Sequence, residues 1–222
     1  RSDNYVTHFH GAWGAESFVE EGKLQNGQLV IANKQGVRNA ALDNPSLMLS
    51  VGGPATENSG TVFGGVLAWS GNYKIKVHAQ NNSLEIFAGI NEETSRYMLD
   101  GGKTFTTPEF AMTYSTEGKG GVSRAIHRWA RKYALWNGDR ERMVLLNSWE
   151  GVYMNITQDV MDQMMGDIAA LGGELFVMDD GWFGDKYPRD TDHTSLGDWM
   201  VNKKKLPLGI KGLTDAAKKH GI

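Results

Sequence analysis

Leu175-Phe176-Val177-Met178-Asp179-Asp180-Gly181-Trp182-Phe183-Gly184 is the stretch that decides the fold of the second half of the sequence. Its first four residues are a short continuous apolar run, the pattern of a strand buried on both faces. Two carboxylates follow at once. Adjacent carboxylates repel, and setting them at the edge of a core costs solvation. A fold accepts that cost where the carboxylates have donors to bind. Hydroxyl groups suit them, because an ionised carboxylate accepts two or more hydrogen bonds and charge-assisted bonds are the stronger kind. Gly181 and Gly184 permit a sharp turn beside a ligand. Trp182 and Phe183 offer apolar walls. The competing reading is an Asp-rich turn that caps the next element. The apolar strand before the turn and the aromatic residues within it favour a binding turn.

Working outward, the rhythm on both sides is β-α-β-α. Met143–Leu146 reads as a first strand, continuous with Asn147-Ser148-Trp149-Glu150. Asn155–Thr157 reads as a helix cap, and Val160, Met164, Ile168 and Leu171 as the apolar stripe of the helix behind it. Gly172-Gly173 stops that helix. After the second strand a long polar loop runs from Asp179 to about Leu206, then a helix over Gly212–His220 closed by Gly221. Such alternation implies a parallel sheet, open or closed into a barrel. The loops after the strand ends are where sites on these sheets form. Trp149 and Glu150 stand at the end of the first strand. Glu150 is either an acid or base or a rim residue paired with Arg142 or a lysine. Trp199, in Ser195-Leu196-Gly197-Asp198-Trp199, is either a lid over a ligand or a loop anchor.

Residues 1–115 read differently. Segments rich in β-branched and aromatic residues recur between Gly, Asn and Asp clusters: 5–10, 29–32, 46–51, 61–70, 73–78, 83–90 and 109–114. Asn26-Gly27, Gly71-Asn72 and Asn81-Asn82 supply turn signals. Evenly spaced strands of this kind predict a β-sandwich. Gly118–Gly121 reads as a flexible hinge, followed by a helix with Val122, Ile126, Trp129 and Tyr133 on one face. Asn137-Gly138-Asp139 ends it, and the domain boundary falls at 137–142.

The 222 residues carry a net charge of −3 and no basic stripe, which gives nucleic-acid binding little electrostatic support. There is no cysteine, so disulfides, zinc thiolates and cysteine nucleophiles are excluded. No apolar run approaches ~18 residues, so a membrane-spanning helix is not expected. Arg1-Ser2-Asp3-Asn4 has neither a Met nor the apolar core of a signal peptide, and does not read as a natural start. Seven Trp and seven Tyr is a rich aromatic content. Such rings serve as platforms for sugar C–H faces, but the simpler expectation is that most fill the sandwich core. His8-Phe9-His10 sets two histidines on one strand face with no obvious third ligand, which favours hydrogen-bonded histidines over a metal pair. Asp190-Thr191-Asp192-His193 lacks the closing Glu of a calcium loop and reads as a solvated loop. The glycines form no phosphate-binding fingerprint.

Together, Leu145–Glu150, Glu174–Gly184, Ser195–Trp199 and Asn202-Lys203-Lys204-Lys205-Leu206-Pro207 closely resemble the family-36 glycoside hydrolases, the bacterial-type α-galactosidases. More loosely, Phe105-Thr106-Thr107-Pro108-Glu109 and the helix through His127-Arg128 resemble the junction between that family's N-terminal domain and its catalytic domain. The resemblance implies a multidomain β plus α/β fold. Residues 1–117 would belong to a β-supersandwich, 118–142 to a linker helix, and 143–222 to the start of a truncated (β/α)8 TIM barrel. It implies that Asp179, Asp180, Trp149, Trp199 and Trp182 bind substrate, the two aspartates through galactose hydroxyls. It implies no cofactor and no metal. The partners it implies are α-galactoside oligosaccharides, with no nucleic acid or membrane partner and a homo-oligomeric full-length protein. The compartment, cytoplasmic or periplasmic, stays open.

The family's chemistry is hydrolysis with retention by two carboxylates about 5–5.5 Å apart. Both belong to later strands, and a closed barrel needs about 250 residues. No catalytic residue is therefore expected in this chain, and the chain alone is expected to be inactive. Two alternatives stay open: a non-catalytic galactoside-binding module, and a relative that transfers galactose or acts on α-N-acetylgalactosaminides.

Overall fold

The computed structural model describes residues 3–38, 42–81, 83–93 and 95–222. The chain forms two compact units, Arg1–Asp139 and Arg140–Ile222. It is mostly β-sheet with a few helices.

The first unit holds β1 (Asn4–Ala12), β2 (Ala15–Lys23), β3 (Gly27–Asn33), β4 (Ser46–Val51), β5 (Thr61–Leu67), β6 (Tyr73–Gln80), β7 (Ser83–Ile90) and β8 (Phe110–Ser115). Five of them form an antiparallel sheet in the order β2-β1-β4-β5-β8, and the other three form a sheet in the order β3-β6-β7. Apolar and polar residues alternate in Tyr73-Lys74-Ile75-Lys76-Val77-His78, which sends Tyr73, Ile75 and Val77 to one face of β6. There they pack with Ile31 of the same sheet and with Val6, Leu47, Leu49 and Leu67 of the other. The expected sandwich is present in this unit. Asn82 of the Asn81-Asn82 turn lies outside the described residues, as do Arg1 and Ser2 of the N-terminal stretch.

Four expectations need correction here. First, β2 was not foreseen. Glu16, Glu20 and Glu21 break its apolar pattern, and it is an edge strand that is almost wholly exposed. Charge on an edge strand discourages pairing with another chain. Second, the core is aliphatic around Tyr73, and none of the seven tryptophans is buried. Alternating Val, Leu and Ile side chains fill the thin space between sheets, which leaves the indoles on loops and helix faces.

Third, Gly118–Gly121 is no hinge. It is the first turn of α1 (Gly118–Trp129), which continues as a π-helical turn over Ala130–Ala134. The backbone N–H groups of Gly118, Lys119 and Gly120 donate to the carbonyls of Gly60, Thr56 and Glu57 at 3.1, 3.0 and 2.9 Å. A loop therefore satisfies the orphan donors of the helix start, and no capping side chain is used. Small residues permit this docking. A Cβ on Gly64 of β5 would meet Val122 Cγ1 of α1 at 2.2 Å.

The second unit holds β9 (Leu145–Asn147), α2 (Trp149–Val152), α3 (Gln158–Ala170), β10 (Leu175–Val177) and α4 (Gly209–His220). β9 and β10 pair in parallel, with Leu175 opposite Leu145 and Val177 opposite Asn147. The fourth correction concerns burial. These strands are not buried on both faces, and Leu145 and Leu175 are exposed. Among the described residues each strand has one neighbour, and the core beneath covers one side only. That core is Ile156, Met161, Met165, Leu206 and Leu213, with Phe176, Met178 and Trp182 packed against it. Met161 and Met165 are the fully buried residues of α3; Val160 and Met164 of the predicted stripe pack partly buried against the same core, whereas Leu171 is exposed. The helix ends are as read. The Thr157 side chain accepts from the Val160 N–H at α3's start. At its finish, the Gly173 N–H bonds to the Ile168 carbonyl and the Gly172 N–H to that of Ala169, a Schellman closure.

Ile75 lies at the centre of the sandwich with no exposed surface. Replacing a fully buried Ile by Ala removes its packing and leaves a cavity, at a cost of about 2–5 kcal/mol. Ile75→Ala should lower the stability of the first unit by that amount in urea denaturation, and an unchanged midpoint would contradict this placement of the core.

Candidate functional site

The parallel register fixes where the polar residues of the second unit stand. Asn147 closes β9 and lies opposite Val177, and the chain leaves β10 through Met178 into Asp179 and Asp180. Both strands run the same way, so both carry polar residues at their C-terminal ends. The two ends are tied together. The Asn147 side-chain amide donates to Asp179 Oδ2 at 2.7 Å, and the Asp179 N–H donates to Ser148 Oγ at 3.0 Å. Ser148 is fully buried. Asn147 Oδ1 also accepts the Trp149 N–H at 2.8 Å, which starts α2 and sets Trp149 beside the strand end. Trp149 then stacks edge-on against Tyr153, with ring centroids 5.3 Å apart.

The two aspartates have different partners. Asp179 Oδ1 accepts the Asp180 N–H at 2.7 Å, so each of its oxygens accepts one hydrogen bond among the described residues. An ionised carboxylate has about four acceptor positions. One position on each Asp179 oxygen is left for a further donor. Asp180 is more fully engaged. Its Oδ1 accepts from the Gly181 N–H at 2.7 Å and from Arg189 Nε at 2.9 Å, and its Oδ2 accepts from Arg189 Nη2 at 2.7 Å and, more weakly, from Nε at 3.2 Å. The Arg189 guanidinium beside it holds the Asp180 carboxyl below the usual carboxylate range, against the opposing effect of burial. Arg189 is raised in turn by the same bond. Asp180 is therefore an ionised acceptor and a poor proton donor at neutral pH.

Arg189 is 5% exposed. Its Nη1 donates to the carbonyls of Thr191 and Thr194 at 2.7 and 2.9 Å, and its guanidinium carbon lies 5.7 Å from the centre of the Phe183 ring. Lys205 lies beside it. The ammonium is within 3.0 Å of the Met154 carbonyl, 2.8 Å of the Gly181 carbonyl, 3.2 Å of the Arg189 carbonyl and 2.6 Å of Asp190 Oδ1. Asn202 presents Lys205 by accepting its N–H, and that of Lys204, on one side-chain oxygen. Gly181 has φ +101, and a Cβ there would sit 2.8 Å from Met154 Cα. The turn thus requires glycine on both conformational and steric grounds.

The aromatic residues divide too. Trp182 is half-buried against the core of the unit, with its ring 5.3 Å from Phe183. Phe183 is buried, and it pairs with Val201 in an isolated antiparallel bridge. Trp199 leans on Phe183 at 4.7 Å between centroids and remains 64% exposed, anchored on one side and open on the other. Glu150 accepts from the Tyr153 hydroxyl at 3.2 Å, which raises the Tyr153 pKa.

The structure therefore brings Trp149, Asp179 and Asp180 to neighbouring strand ends, with Trp182 and Trp199 connected through Phe183. The sequence reading gave Asn147, Ser148 and Lys205 no role beyond their motifs and did not single out Arg189. Arg189 offered one signal, a lone arginine in the acidic loop Asp185–Asp192. Elsewhere, His10 Nδ1 lies 2.9 Å from Asp43 Oδ1 and His8 Nδ1 lies 4.0 Å from it, so the histidines share a carboxylate. Among the described residues no group of three or more His, Cys, Asp or Glu is arranged to hold a metal ion. Asp190, Asp192 and His193 are exposed, as a solvated loop should be.

Two family models cover nearly the whole sequence. The Glycosyl hydrolase family 36 N-terminal domain matches residues 1–100, and Melibiase matches residues 104–222. The α-galactosidase AgaA of Geobacillus stearothermophilus is 36% identical over 97% of this chain and 29% of its own length. The bifunctional α-galactosidase/sucrose kinase AgaSK of Mediterraneibacter gnavus is 34% identical over 98% of this chain and 23% of its own. Among solved structures, AgaA in complex with stachyose superposes with a TM-score of 0.91 at 34% identity, over 99% of this chain and 30% of that one. The α-galactosidase of Lactobacillus brevis gives 0.90 at 32% identity, over 99% and 29%. The chain thus spans less than a third of the length of these relatives. The Melibiase match takes in more than half of the sequence, including both strand ends and the loop that Arg189 and Lys205 tie down, and the chain belongs to glycoside hydrolase family 36.

Proposed function

We propose that this chain is part of an α-galactosidase that releases terminal α-linked galactose from oligosaccharides with retention of configuration. In this reading β9 through α4 are the first βα units of a (β/α)8 barrel, residues 1–117 belong to the N-terminal β-supersandwich, and 118–142 link the two. The observation that carries it is the pair of carboxylates at the C-terminal end of β10, one with an acceptor position open on each oxygen and the other held ionised by arginine. Acceptors set in this way suit a ring of hydroxyl donors.

Asp179 and Asp180 grip galactose hydroxyls, and Trp149, Trp182 and Trp199 line the pocket. Galactose carries an axial 4-OH. An acceptor aimed at that group rejects the wrong epimer, because buried polar groups are then left unpaired. The carboxylates that cut the glycosidic bond are supplied outside these 222 residues. A retaining acid needs a raised pKa, and Asp180 is shifted the other way. The reaction needs no cofactor, and the full-length protein is a homo-oligomer acting on α-galactoside oligosaccharides.

The full-length protein should hydrolyse an aryl α-galactoside, and the purified 222-residue chain should not; turnover by the chain at the full-length rate would sink this division of labour. In the full-length protein Asp180→Asn should weaken galactose binding at least several-fold by calorimetry, and unchanged affinity would remove Asp180 from the pocket. The pH dependence follows from the depressed carboxyl. A lowered pKa keeps the charge above the ordinary aspartate value of about 3.9 and loses it only as pH falls through the lower folded value. Wild-type affinity for galactose should therefore hold from pH 7 to about 4.5. A decline centred near pH 6 would show that another group controls the grip.

A further inference from the structure

We infer that Arg189 is a positioning residue for substrate, acting through Asp180, and that Lys205 fixes the backbone on both sides of that pair. The inference rests on the galactose-binding reading of Asp180 and adds to it the residues that aim the carboxylate.

Three features of the geometry carry it. The first is the fork. Arg189 Nε and Nη2 meet the two oxygens of Asp180 at 2.9 and 2.7 Å, so the carboxylate plane is fixed by two parallel bonds. A single point charge would leave the carboxylate free to rotate about its last bond. The second is the burial and saturation of the guanidinium. At 5% exposure, with Nη1 on the Thr191 and Thr194 carbonyls and Nε and Nη2 on Asp180, it has little freedom to swing to a ligand itself. It works on the substrate only through the carboxylate. The third is the frame. Arg189 and Asp180 lie nine residues apart on an irregular loop, and such a loop alone would not hold them within 3 Å of each other. The Arg189 N–H donates to the Phe183 carbonyl at 3.1 Å. Lys205 is within hydrogen-bond distance of the Gly181 carbonyl, next to Asp180, and of the Arg189 carbonyl. One ammonium thereby ties the chain at both ends of the ion pair.

Asp180 Oδ1 accepts from the Gly181 N–H and from Arg189 Nε, and Oδ2 accepts from Arg189 Nη2 at 2.7 Å and shares the Nε donor at 3.2 Å. Both donors on Oδ2 come from the guanidinium, so its plane sets the one direction, on the opposite side, from which Oδ2 can take a further donor. A hydroxyl donor at that direction is accepted, and one displaced from it is not. Lysine at position 189 keeps the charge and loses the fork.

The test uses the full-length protein with Arg189→Lys, Arg189→Gln and Asp180→Asn, alone and combined. For an aryl α-galactoside, Arg189→Lys should raise KM about tenfold or more while kcat changes less than threefold. The acid limb of kcat/KM should move to higher pH in Arg189→Gln, because the group that depresses the Asp180 carboxyl is gone. In the Asp180→Asn background, Arg189→Lys should change KM less than twofold, since the residue through which it acts is already lost. If Arg189→Gln does not fold, the Arg189→Lys cycle alone decides. Wild-type KM in Arg189→Lys, or an undiminished effect in the Asp180→Asn background, overturns the inference. Wild-type protein that neither hydrolyses α-galactosides nor binds galactose overturns the reading beneath it, which is a separate outcome seen before any variant is made.

Discussion

The ion pair between Asp180 and Arg189 is the interaction on which the second unit's polar end depends. Asp179 and Asp180 are adjacent carboxylates at the edge of an apolar core, and without a cation they would repel each other and resist burial. Arg189 is itself almost fully buried, and an unpaired guanidinium there would be equally unfavourable. Removing one partner of such a pair leaves an uncompensated charge, which in buried settings costs about 3–5 kcal/mol. Each group is thus the condition for the other. The loop between them has little regular structure beyond the Phe183–Val201 bridge. Its order comes from charged side chains on backbone carbonyls: Arg189 on Thr191 and Thr194, and Lys205 on Met154, Gly181 and Arg189. Long irregular loops in compact domains are uncommon unless they serve a function, and this one is held too tightly to be a mere connection.

Much of the fold was legible because it is written in period and punctuation. The alternation in β6 placed Tyr73, Ile75 and Val77 on one face, and all three are core. Thr157 and Gly172-Gly173 mark the ends of α3 by local hydrogen bonds that need no tertiary context. What stayed hidden is non-local. β2 carries three glutamates on an exposed edge, so no apolar pattern announces it; pairing with β1 makes it a strand. Gly118–Gly121 has the composition of a linker, but the carbonyls of residues 56, 57 and 60 satisfy its N–H groups and turn it into a helix start.

The site divides along the same line. Asp179, Asp180 and Trp149 could be named from sequence because the strand ends put them there. Asn147 is at the end of its strand too, within a quoted motif, but nothing in the sequence gives it a role until the parallel register sets it against Asp179. Arg189 and Lys205 lie nine and twenty-five positions beyond Asp180, and only a folded loop brings them to the turn. If the proposed reading holds, sequence motifs here report the residues that face a ligand more readily than the residues that aim them. The latter act through geometry rather than chemistry, and their spacing is set by loop length, not by a helical or strand period.

On the proposed reading, the environment that suits Asp180 to grip hydroxyls makes it unfit to cut. A carboxylate that accepts three bonds from arginine and one from a backbone N–H is stabilised as the anion, and its proton affinity falls with each bond. Donating a proton to a leaving oxygen at neutral pH requires the opposite setting, apolar or next to a like charge. Attack on a sugar carbon requires a carboxylate with a lone pair aimed at that carbon, whereas most of Asp180's acceptor positions are already taken by donors of its own chain. One carboxylate cannot meet both demands. On the proposed reading a family-36 barrel meets them by placing grip and cut on different strands. In that reading the β10 turn would hold the sugar by its hydroxyls from one side, and the bond to be broken would be presented to carboxylates whose surroundings are tuned the other way.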